Sequence, residues 1–231
     1  MANFINLQRK MKNLLIIIAI LYTTILFGQT KQGKEPSDFL PEGYVIVERI
    51  NGDLNKDRLV DCILIIKGTD KSKIIKDEYR GELERNRRGI IVLFNKKGHY
   101  ELAVKNYDCF SSENEDGGVY FAPELSIEIK KGNLNILYGH GRYGSWSYTF
   151  RFQNYDFELT GYDLRDNRSP IVNKTVSINF LTKKKQTNEN INQNAEVDGD
   201  EVYKETWEKI RVEKLLKLSE IKDFDDLQIL D

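Results

Sequence analysis

The sequence predicts a mainly β, antiparallel protein, and three observations carry that prediction. From residue 43 onward apolar and polar residues alternate with period two, the mark of strands with one buried face. The alternating runs are short, and tight glycine- or asparagine-containing connections join most of them, as in hairpins. The 231 residues are 40% hydrophobic with only 4 prolines and 16 glycines, which excludes a wholly disordered or collagen-like chain. The expected architecture is an antiparallel meander: a sandwich, an open barrel or a partial-propeller-like unit, with a short helix allowed at the C-terminal end.

The chain opens differently. Residues 14–27, LLIIIAILYTTILF, form an uncharged apolar run preceded by Arg9, Lys10 and Lys12 and followed by Gly28. A membrane-spanning helix needs about 20 apolar residues, so this run is short for an anchor. A basic start, a short apolar core and a small residue at its end make the pattern of a cleavable secretory signal over residues 1–28. Met1 and Met11 both qualify as starts. Without residues 1–28 the 35 basic residues fall to 32 against 36 acidic ones, a mild net charge of −4. That balance points away from nucleic acid, whose binders rely on phosphate neutralisation. The expected location is therefore periplasmic or extracellular, with no membrane attachment after signal cleavage. There Cys62 and Cys109 meet an oxidising environment, and both a disulfide and two buried thiols are compatible with the sequence.

Residues 29–42 read as an N-terminal linker and residues 43–182 as the β domain. Tyr44 to Val47 starts the strand series and residues 59–66 continue it. Residues 89–94 and 100–104 flank Asn95-Lys96-Lys97-Gly98, a hairpin connection. Leu125, Ile127 and Ile129 alternate with Ser126, Glu128 and Lys130; beyond Lys131-Gly132-Asn133 the partner strand carries Leu134, Ile136 and Tyr138. Trp146, Tyr148, Phe150 and Phe152 share one face, and Gln153-Asn154 turns the chain into Tyr155, Phe157 and Leu159. Val176, Ile178 and Phe180 close a series of nine strands. Residues 70–88 are heavily charged and read as a solvated loop with at most one helical turn. Residues 183–201 have too few apolar groups to offset chain entropy and read as a flexible linker or hairpin tip. Residues 202–231 fit either a final strand or a helix, with Trp207 covering core in both cases and Ser219-Glu220 suited to cap a last short helix.

One motif carries chemistry. Asp53, Asn55, Asp57 and Asp61 place oxygen-bearing side chains at loop positions 1, 3, 5 and 9, and the Leu59 carbonyl falls at position 7. Calcium takes six to eight oxygens at about 2.3–2.6 Å, and alternate residues of a tight loop can deliver them. Position 12 is Leu64, so an EF-hand is excluded. The segment GDLNKDRLVDCILI, a D-x-N-x-D-x-x-x-D loop running into an apolar strand, resembles the calcium loop of FG-GAP/VCBS-type repeats. RRGIIVLFNKKGHYEL is similar to the later part of such a unit. The resemblance covers residues 44–105, a single copy, and implies a structural calcium ion in an exported protein. The chain departs from that pattern at Arg58, which stands at the position usually held by glycine. Either Arg58 is forced to positive φ, or the loop opens and its guanidinium pairs with Asp57 or Asp61.

The most unusual stretch is Tyr138-Gly139-His140-Gly141-Arg142-Tyr143-Gly144-Ser145-Trp146. Its glycines permit close approach of a ligand, with Tyr143 or Trp146 stacking, Arg142 gripping a carboxylate and His140 beside them. As an ordinary connection, its aromatics would simply cap the core. Zinc spacing, a nucleophile elbow and a phosphate-cradling loop are all missing. The sequence thus favours an exported, calcium-stabilised, non-catalytic binding or structural module for a protein or glycan ligand. The alternatives are a hydrolase of envelope polymers and an inhibitor or immunity-type protein.

Overall fold

The computed structural model describes residues 31–115 and 122–229. The segment read as a secretory signal, residues 1–28, lies outside them. Gly33–Asp231 forms one compact unit, and apart from Gln32, the first residue of β1, all that follows concerns it.

Its strands are β1 (Gln32–Gly33), β2 (Tyr44–Gly52), β3 (Asp61–Gly68), β4 (Ile74–Asp77), β5 (Gly81–Glu84), β6 (Arg88–Asn95), β7 (Tyr100–Phe110), β8 (Glu124–Lys130), β9 (Asn133–Gly139), β10 (Gly144–Gln153), β11 (Asp156–Arg168), β12 (Ile171–Asn179), β13 (Lys184–Asn190) and β14 (Tyr203–Lys209). One sheet sets its long strands in the order β7-β6-β3-β2. The other is an unbroken antiparallel meander of seven, β14-β13-β12-β11-β10-β9-β8. The mainly β, antiparallel class is as the alternation predicts.

Burial explains the layering. The sequences CILII of β3 and IIVLF of β6 are apolar without alternation because both faces of these central strands are covered. Ile63, Ile65, Ile90, Val92 and Phe94 meet Leu134, Ile136, Tyr138, Phe150, Phe157 and Ile178 of the long meander in the main core. On the far side, Cys62, Leu64, Ile66, Ile91 and Leu93 pack with Phe39 in a second cluster. Cys62 therefore belongs to one core and Cys109 to the other, and both thiols are free and buried. Burial pushes both thiols up, away from reactive thiolate.

The hairpin turns fix register. Lys131 and Gly132 both adopt positive φ, as do Asn154 and Tyr155, so each pair forms the two-residue turn whose twist suits a hairpin. The turn between β10 and β11 therefore sits one residue later than the alternation indicates. Tyr155 is a turn residue, 95% exposed, and not the first apolar residue of a strand.

Other expectations are corrected as well. The charged stretch 70–88 holds a 3₁₀ turn (Lys71–Lys73) and the small hairpin β4–β5. Of the two readings of 183–201, the hairpin is the one found: its first half is β13, held in the meander by β12 and β14, and residues 191–202 connect β13 to β14. The tail forms β14 and then a 3₁₀ turn (Leu218–Glu220), with no longer helix among the described residues. Trp207 does not cover core; it is 60% exposed on β14. The residues that do cover the core lie farther along. Leu218, Ile221 and Phe224 are buried, and the Phe224 ring stacks on Phe110 at 5.1 Å. Asn106 Nδ2 donates to the carbonyls of Leu218 (2.8 Å) and Ile221 (2.6 Å), fastening this segment to β7.

Candidate functional site

The acidic loop joins β2 to β3. Leu54, 2% exposed, anchors it in the main core. Asp53 accepts the backbone N–H groups of Asp57 (3.2 Å) and Arg58 (3.0 Å). Asn55 Oδ1 accepts the Asp57 N–H at 3.0 Å, and Asn55 Nδ2 donates to Asp57 Oδ2 at 3.0 Å. Asp57 Oδ1 accepts the Leu59 N–H at 2.8 Å. Asp61 is fully buried, its two oxygens taking the N–H groups of Leu54 (2.8 Å) and Asn95 (3.0 Å), so it ties the loop to the end of β6. Lys56 and Arg58 stand at φ 64° and 68°. Arg58 is thus held in the left-handed conformation, the first of the two alternatives, and no ion pair joins it to Asp57 or Asp61 among the described residues.

Donor chemistry and backbone fit a calcium loop; side-chain placement fits only in part. Burial pushes the Asp61 carboxyl above its ordinary range, and Asp57 and Asp53 push it the same way against the pull of the two amides. A cation would relieve that repulsion. Yet among the described residues no three His, Cys, Asp or Glu side chains converge as a metal cage. An ion held by Asn55 and Asp57 would compete with the hydrogen bond between their side chains.

The glycine-rich loop does not gather its candidates into one site. The ring of His140 lies 5.3 Å from that of Tyr143, and the Arg142 guanidinium lies 5.4 Å over the same ring. These three pack on one another around the 3₁₀ turn Gly141–Tyr143. Trp146 is elsewhere: it stacks on the buried Tyr138 at 5.4 Å and 11°, against the main core. Gly144 allows the close approach of the neighbouring strand, because a Cβ there would meet the Arg165 carbonyl at 1.9 Å.

A third surface was not singled out by sequence reasoning. The outer face of the long meander carries two cross-strand rows. One reads Ser126, Leu137, Ser147, Asp163, Ser177, Gln186, Trp207, and the next Glu124, Gly139, Ser145, Arg165, Thr175, Asn188, Glu205. Hydroxyl, amide and charged groups dominate both rows. Their centre forms a shallow depression of about 270 Å³. A second depression of about 550 Å³ shares Arg165, Thr175 and Asn188 with it and reaches Asp198, Glu201 and Tyr203. The signal was present in the polar half of each alternating run, but a polar residue on a strand also has the plain task of facing water.

Among the described residues no helix is long and apolar enough to cross a membrane. Comparison of the chain with family models, curated proteins and solved structures finds no match.

Proposed function

We propose that this chain is an exported, non-catalytic binding module that holds a glycan on the outer face of its long meander. The observation that carries the reading is the Asp163–Arg165 region, where β10, β12 and β13 bring Ser, Thr, Asn and Gln side chains around one carboxylate and one guanidinium of β11 in a shallow depression. A sugar presents hydroxyls that both donate and accept hydrogen bonds, and side chains of these types answer them. Protein-binding patches have a different centre, enriched in aromatic residues and depleted of charge. Of the exposed apolar side chains on these rows, Leu137 lines one side of the depression and Trp207 stands at the far end of its row. Calcium, as the FG-GAP/VCBS resemblance implies, is a structural ion held by Asp53, Asn55, Asp57, Asp61 and the Leu59 carbonyl. That loop belongs to the other sheet and takes no part in ligand contact.

Affinity electrophoresis through gels containing a neutral polysaccharide or solubilised peptidoglycan tests the reading. The protein is expected to be retarded by at least one of them without releasing reducing ends. Asp163→Ala and Arg165→Ala abolish the retardation at unchanged melting temperature, while His140→Ala keeps it. No retardation in any gel, or loss on His140→Ala alone, overturns the reading.

A further inference from the structure

The meander ends on β14, whose seven residues are all exposed and whose outer edge pairs with nothing among the described strands. The register of β14 on β13 is regular over its whole length. At the other end of the same sheet β8 runs close to β2, and β2 itself carries a register shift at Ile46/Glu48. Edges are normally blunted in this way. β14 has neither bulge nor proline; its charged side chains, Lys204, Glu205, Glu208 and Lys209, can guard an edge, yet they set Lys204 against Glu208 when two copies pair about Thr206.

Two flanking bonds show which groups of β14 point outward. Ile191 N–H donates to the Val202 carbonyl at 2.8 Å, and Ile210 N–H to the Lys183 carbonyl at 3.1 Å. Since hydrogen-bonded pairs alternate along an antiparallel ladder, Lys204, Thr206 and Glu208 bond to β13. Tyr203, Glu205, Trp207 and Lys209 therefore direct their N–H and C=O groups away from the sheet.

We propose that β14 pairs antiparallel with β14 of a second copy of this chain, with Thr206 on the twofold axis, joining two seven-stranded sheets into one. An outward residue must meet an outward residue, so every register that shifts the pairing by one is excluded. In the register centred on Thr206 all seven residues pair. Tyr203 opposes Lys209 and Glu205 opposes Trp207, twice each by symmetry; these four pairs with two bonds each give eight backbone hydrogen bonds. On the opposite face Lys204 meets Glu208 and Thr206 meets Thr206, both favourable cross-strand pairs. The two tryptophans become diagonal neighbours on one face, within reach of each other. Moving the axis to Glu205 sets that carboxylate against its copy. Moving it to Trp207 reduces the four outward pairs to three. Paired with its own reverse about Thr206, the sequence Tyr-Lys-Glu-Thr-Trp-Glu-Lys sets Lys204 against Glu208 and no like charges directly opposite one another, and the isologous contact closes after two copies.

Mass by sedimentation equilibrium or light scattering, on the protein as recovered from cells, tests the proposal and is independent of any glycan. The expected mass is twice that of the monomer. Glu205→Pro removes an outward N–H without touching the β13 ladder and is expected to halve the mass at an unchanged circular dichroism spectrum. Lys204→Glu alone and Glu208→Lys alone oppose like charges across the axis and are each expected to be monomeric. Mixed together they oppose unlike charges and are expected to restore the doubled mass. A wild-type monomer at high micromolar concentration overturns the proposal, as does a dimer unaffected by Glu205→Pro or by both charge reversals.

Discussion

Arg58 stands at φ 68° with an exposed side chain and its N–H on Asp53, so its strain is a cost of the loop's shape and is not offset by packing of its own. A left-handed conformation costs a non-glycine residue about 1–2 kcal/mol, part of which glycine returns through the greater freedom of its unfolded chain. Arg58→Gly is therefore expected to stabilise the protein by about 1 kcal/mol, read as a shift in the denaturant midpoint. The proposed calcium ion would act at the same residues. Asp61 has a raised folded-state pKa, so without an ion its ionisation takes stability away as pH rises through that value. A bound cation favours the ionised form and reverses the sign. Excess calcium at neutral pH is expected to raise the melting temperature of wild type and Arg58→Gly, with chelator reversing the effect. Asp57→Ala is expected to respond to neither. Superimposable melts of the wild type in calcium and in chelator would remove the ion from the account.

The elements of the chain show where sequence reading succeeds and where it slips. The turn Asn154-Tyr155 pins the longest pairing in the meander, yet Tyr155 looks like a strand residue because a tyrosine in an alternating run reads as apolar. Its positive φ and 95% exposure show that the backbone of the turn overrides the pattern of side chains. Tyr155→Gly is expected to leave the register intact and stabilise the hairpin by up to about 1 kcal/mol, measured by amide exchange in β10 and β11. Strands with a buried face, such as β8 and β9, were legible because one side of each is apolar. β13 was not, because Lys-Lys-Gln-Thr-Asn-Glu-Asn buries no large apolar side chain and is held by its two neighbouring strands. β14 hides in the same way. The acidic loop was legible as a motif, down to the strain at Arg58. The outer face was not, since its residues are brought together by register across strands far apart in sequence.

At the scale of the whole molecule, the central strands of the first sheet, β3 and β6, are buried on both faces, and the acidic loop leads into β3. The meander turns one face to the core and leaves the other free. On the proposed reading, stability falls to one layer and recognition to the other. A dimer through β14 would extend the recognition layer, because the rows that begin at β8 run through Trp207 and Glu205 and continue into the second copy. The central claim, that the free face of the meander is the ligand surface, is tested most directly by amide chemical-shift mapping during titration with a polysaccharide fragment that retards the protein in gels. The account predicts that the shifted amides cluster on β10 to β13 around Ser147, Asp163, Arg165 and Ser177. Shifts confined to residues 140–143, or an unperturbed spectrum at saturating fragment, would contradict it.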